Sequence, residues 1–60
     1  MDNLIIKCGA SEITFSDLDK DKEIEVEIRK DDENLYLWLN EQQIRQLQDH
    51  LTKVIIKLKA

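Results

Sequence analysis

Between Glu23 and Lys30 the chain alternates strictly. Ile24, Val26 and Ile28 occupy one phase, and Glu23, Glu25, Glu27 and Arg29 occupy the other. Successive side chains of a strand point to opposite sides, so this period of two specifies a β-strand with one dry face and one wet face. A single strand cannot satisfy its backbone or cover its dry face. The rest of the chain must supply partner strands and a covering layer.

The first partner follows at once. Asp31-Asp32-Glu33-Asn34 reads as a turn, with Asn34 suited to a left-handed backbone. Leu35-Tyr36-Leu37-Trp38-Leu39 then returns as a strand. In either hairpin register Leu35, Leu37 and Leu39 share the face of Ile24, Val26 and Ile28, while Tyr36 and Trp38 share that of Glu25 and Glu27. Upstream, Leu4–Cys8 and Glu12–Phe15 flank Gly9-Ala10. A two-residue turn with Gly first is type II′. It sets Ile6 opposite Ile13 and Leu4 opposite Phe15, apolar against apolar. Ser16 to Lys22 is polar and acidic, with only Leu18 apolar, and reads as a connecting loop.

After Leu39 the period changes from two to the spacing of a helix. Asn40 is a good N-cap, and Gln43, three residues on, completes a capping box. Leu39 and Ile44 are placed for a hydrophobic staple. Ile44, Leu47, Leu51, Val54, Ile55 and Leu58 fall within about a third of the circumference, and Ile56 lies outside that stripe. Glu41 begins the helix, and Lys53, Lys57 and Lys59 lie toward its end, as the macrodipole favours.

The expected fold is therefore α+β: one domain over residues 1–60, with an antiparallel sheet of about four strands in two hairpins packed on one C-terminal amphipathic helix. Val26, Leu37, Leu47 and Leu51 are expected to be buried where sheet meets helix. Eight Ile, eight Leu and two Val supply an aliphatic core. A 60-residue chain still buries only about 60% of its unfolded surface. With a single cysteine there is no internal disulfide to help. A homodimer is expected, with Val54 and Ile56 as candidate interface residues and the Tyr36/Trp38 sheet face as the alternative seam.

Catalytic and metal-binding patterns fail on inspection. Asp17-x-Asp19-x-Asp21-x-Glu23 begins like a calcium-binding EF-hand loop, but the sixth position is Lys22 rather than Gly and the twelfth is Ile28 rather than Glu. The flanking segments read as strands, so the run is expected to be a solvated loop. Cys8 and His50 could be paired as nucleophile and base, yet a reactive thiolate needs an electropositive, accessible setting, and Cys8 in an apolar strand reads as a small core residue. One glycine excludes a phosphate-binding loop. Glu23, Glu25 and Glu27 lie on an open face, not in the dry concavity where acid–base chemistry is tuned. The expectation is no enzyme, no cofactor and no metal.

Charge argues against nucleic acid. The net charge is −4, and residues 17–33 hold nine acids against four bases. The helix carries a net +2, from Arg45, Lys53, Lys57 and Lys59 against Glu41 and Asp49, too little for the phosphate contacts that dominate such affinity. No apolar run approaches the roughly 20 residues of a membrane span, and no signal-peptide pattern is read. A cytoplasmic protein is expected.

The feature left over is the outer sheet face. Tyr36 and Trp38 lie there with Glu25, Glu27 and Arg29, an aromatic pair inside a charged rim, which is the composition of an interaction hot spot. The stretch from Glu23 to Leu58, a strand hairpin running into an Asn-capped amphipathic helix, is similar to small accessory proteins of phages and other mobile elements. That resemblance implies a protein that acts by binding another protein. The function expected is non-catalytic: an inhibitor or adaptor occupying a surface of a larger host protein. The alternative is a small regulator contacting nucleic acid through the basic end of its helix.

Overall fold

The computed structural model describes residues 3–60. Four strands form one antiparallel meander in the order β1-β2-β3-β4: β1 Leu4–Cys8, β2 Ser11–Phe15, β3 Ile24–Lys30 and β4 Glu33–Leu39. Helix α1 spans Glu41–Lys59. The α+β class, the four-stranded antiparallel sheet and the C-terminal helix are those expected from the sequence.

The registers explain why the strands associate as they do. Leu4 pairs with Phe15 and Ile6 with Ile13. Phe15 continues to Val26, and Ile13 to Ile28. Val26 continues to Leu37, Ile28 to Leu35, and Ile24 pairs with Leu39. Apolar residues thus run in rows across one face of the whole sheet. A slip of one residue in any strand would turn that row to the opposite face, so the pattern pins the register. Gly9 has φ +63, and Ala10 beside it does not share the positive φ, as a type II′ loop requires.

The second hairpin is tighter than its composition suggests. Lys30 pairs with Glu33 and Arg29 with Asn34, so the loop is Asp31-Asp32 alone. Asp31, not Asn34, takes the left-handed conformation, at φ 54. Asn34 is a ladder residue.

The helix begins as expected. Asn40 Oδ1 accepts from the Gln43 N–H, and Gln43 Oε1 accepts from the Asn40 N–H, both at 2.9 Å. Its placement differs from expectation. No Cα of α1 lies within 8 Å of β1, β2 or β3, and the helix approaches only β4. Val26 is buried, at 5% exposure, but Leu37 and Leu47 are only half-buried, and Leu51 is 47% exposed. Ile44 and Leu47 are the two least exposed residues of α1, and Ile44 shares a depression with Leu18 and Lys22 of the β2–β3 loop, so the phase of the stripe is right and only its C-terminal part is left uncovered. The cause is the connection. Asn40 is the one residue between β4 and α1, and its backbone is extended, at φ −83 and ψ 179. Strands and helices that pack back on one another are joined by about two to six residues. Across a single extended residue, α1 leaves β4 without reaching the other strands.

Candidate functional site

The outer face of the sheet is built by the same ladder that builds the apolar one. Glu25 is paired with Trp38, and Glu27 with Tyr36. On the other side of β3, Thr14 is opposite Glu27 and Glu12 opposite Arg29. Every sequence-predicted residue of this patch, Glu25, Glu27, Arg29, Tyr36 and Trp38, therefore lies on two adjacent strands of one face. Trp38 is 54% and Tyr36 50% exposed.

Glu27 organises the centre of the patch. Tyr36 Oη donates to Glu27 Oε2 at 3.1 Å, and Arg29 Nη2 donates to the same oxygen at 3.4 Å. The tyrosine hydroxyl is thereby tied to the carboxylate across the ladder while the residue stays half-exposed. Glu25 is fixed differently. Its backbone N–H donates to Ser16 Oγ at 2.7 Å, and its carbonyl accepts from the Ser16 N–H at 2.9 Å.

That second pair ties the acidic loop to the patch. Loop residues 16–23 are ordered by their own side chains: Asp17 Oδ1 accepts from the Leu18 N–H at 2.7 Å, and Asp19 Oδ1 accepts from both Asp21 N–H and Glu23 N–H at 2.9 Å. Lys22 completes the loop at φ 60. Together with Asn3, the segment from Ser16 to Asp19 lines a shallow depression with Glu25 and Trp38. The sequence expectation did not include Ser16, Asp17 or Asp19 in the site. The available signal was local: Ser and Asp at alternate loop positions bond neighbouring backbone N–H groups.

The remaining candidates are dispersed. Cys8 is exposed at the end of edge strand β1, not in a core. His50 is exposed on α1, which does not approach β1, so the structure does not bring the two together. Val54 and Ile56 are both exposed. Two positions apart on a helix, they project in nearly opposite directions, and only Val54 lies on the stripe with Leu51 and Leu58. No helix among the described residues is long and apolar enough to cross a membrane.

No known protein family, no curated protein and no solved structure matches this chain.

Proposed function

We propose that the chain is a non-catalytic binding protein that uses the Trp38 face to occupy a surface of a larger protein, as an inhibitor or adaptor. The observation that supports this reading is the position of the aromatics. A 60-residue chain with an apolar sheet face to fill instead sets its only Trp and only Tyr on the opposite face, half-exposed and each directly across from a glutamate. Exposed Trp and Tyr within a polar rim are the residues that most often dominate binding energy. The carboxylates of Glu25 and Glu27, with Asp17 and Asp19 at the margin, select a basic partner surface. An acidic cover of this kind suits a site on the partner that handles nucleic acid, and the resemblance to accessory proteins of mobile elements suits a cytoplasmic host target.

The test compares wild-type chain with Trp38→Ala and with Glu25→Lys/Glu27→Lys as baits, at low and high salt. The reading expects a stoichiometric partner that wild type retains, that both variants lose, and that rising salt releases. Retention unaffected by either variant would sink it. A salt-dependent shift of duplex DNA that depends on Lys53 and Lys57 would support the alternative, a regulator contacting nucleic acid through the helix end.

A further inference from the structure

We propose that two copies of this chain form a dimer by exchanging helices, the apolar stripe of α1 of each lying on the apolar sheet face of the other. Both surfaces remain partly uncovered within one chain. On the sheet, Leu4, Ile6 and Leu35 are exposed on the face whose centre is Val26. On the helix, Leu51, Val54 and Leu58 are exposed along one stripe, with Leu58 at 78%.

Magnitudes favour a second copy over a free monomer. The chain exposes 5437 Å², whereas a compact folded chain of 7.1 kDa exposes about 4,100 Å². Its radius of gyration is 13.1 Å, against roughly 10 Å for a compact domain of this length. Covering the excess of about 1,300 Å² on each of two chains gives an interface of about 2,600 Å², within the range of obligate homodimers. A scattered set of surface hydrophobes would not leave an excess of that size.

The geometry favours helix on sheet. The stripe from Leu47 to Leu58 is about 16 Å long at 1.5 Å per residue. The sheet from β1 to β4 is about 14 Å wide at the usual strand spacing. The one-residue link at Asn40 keeps α1 off its own sheet, and short links that prevent a chain from closing on itself are where exchange between protomers occurs. Charge agrees. Lys57 and Lys59 flank the stripe on either side, and the sheet carries acids at both ends, Asp17–Asp21 at one and Asp31-Asp32 at the other. The exchange is isologous, so a two-fold axis buries both stripes and both faces at once.

The test is a mixing experiment read by sedimentation or light scattering. Wild type at micromolar concentration should have twice the mass of 7.1 kDa. Leu51→Glu, on the stripe, and Ile6→Lys, on the sheet, should each weaken self-association at least ~100-fold. Mixed one to one, the two variants should form a heterodimer. One half of it pairs a native helix with a native sheet, and the other half sets Glu against Lys. The mixture also answers the concern that each variant alone simply fails to fold. Four results would overturn the proposal: a wild-type monomer, a dimer lost with Leu51→Glu but kept with Ile6→Lys (a helix-to-helix seam), a dimer indifferent to both (pairing at a sheet edge), or two dissociated variants that do not rescue each other.

Discussion

Tyr36 stands directly across from Glu27 in the β3–β4 ladder, and its hydroxyl donates to the carboxylate that Arg29 also reaches. The three side chains are on the wet face. The Arg29–Glu27 ion pair is partly exposed, at 3.4 Å, and such pairs contribute about 0–1 kcal/mol. The patch is thus held in shape by weak local bonds and adds little to the stability of the sheet.

Trp38→Ala and Tyr36→Phe are accordingly expected to lower stability by no more than about 1 kcal/mol, the scale of one cross-strand pair. Denaturant melts read by circular dichroism check this. Trp38 fluorescence gives an independent reading: emission of the free protein should be that of a solvated indole and should shift to the blue when the partner binds. A blue emission in the free protein would mean that this face is already covered.

Val26 is where stability concentrates. It is the one buried apolar residue among those described, flanked by Phe15 and Leu37 in the ladder. Val26→Ala removes the equivalent of two methylenes, at about 0.8 kcal/mol each before any cavity cost, so a loss of about 2 kcal/mol is expected. Urea unfolding measures it. Ile24→Ala, on a half-buried neighbour at the end of the same strand, provides the comparison and should respond to protein concentration if a second copy covers the sheet.

The register of the first hairpin and the dry face of the second were legible because each is fixed by information carried within a hairpin, whereas the β2–β3 pairing spans the acidic loop and was not. Gly9 places the first turn, and the alternation of Ile24, Val26 and Ile28 with the glutamates fixes which face is dry. The helix start was legible for the same reason, since Asn40 and Gln43 are three residues apart. What pattern alone did not convey was the direction in which α1 leaves the sheet. The stripe from Ile44 to Leu58 says that something apolar lies against it, not which molecule provides it. The decisive signal was the length of the link: strand spacing runs to Leu39 and helical spacing starts at Glu41, which leaves no loop in which to turn back. Asn34 was misplaced because Asn and Asp both tolerate the left-handed region, and the two-residue loop selected Asp31. The outer patch was visible residue by residue. The role of Ser16 and Asp19 in framing it depends on hydrogen bonds between the loop and β3 that no periodicity reports.

Asn40 carries the junction between sheet and helix, so its cap has more than local weight. Asn40→Ala deletes the acceptor for the Gln43 N–H and is expected to cost about 0.5–2 kcal/mol. Asn40→Asp keeps the acceptor and places a negative charge at the helix N-terminus, and should be neutral or slightly stabilising. Thermal melts followed at a helix-sensitive wavelength distinguish the two. Equal losses for both variants would mean that the amide, not the oxygen, matters at this position.

The acidic loop offers the last prediction. Asp17, Asp19 and Asp21 have the spacing of calcium ligands, and Lys22 at the sixth position even takes the left-handed backbone, at φ 60, that such loops need there. One oxygen on each of two of these carboxylates is nonetheless committed elsewhere. Asp19 Oδ1 already accepts two backbone N–H groups, and Asp17 Oδ1 accepts a third. The twelfth position, which should bring a bidentate carboxylate, is Ile28, held in the β3 ladder opposite Leu35. A cation would have to gather six to eight oxygens from a loop that lacks the twelfth-position carboxylate and already uses two of its carboxylate oxygens on its own backbone. Millimolar calcium should therefore leave the melting temperature unchanged. Asp19→Ala should lower stability by about 1 kcal/mol, because it frees two N–H groups that only water can then satisfy. An upward shift with calcium that a chelator reverses, and that Asp19→Ala abolishes, would establish instead that the loop is a metal site.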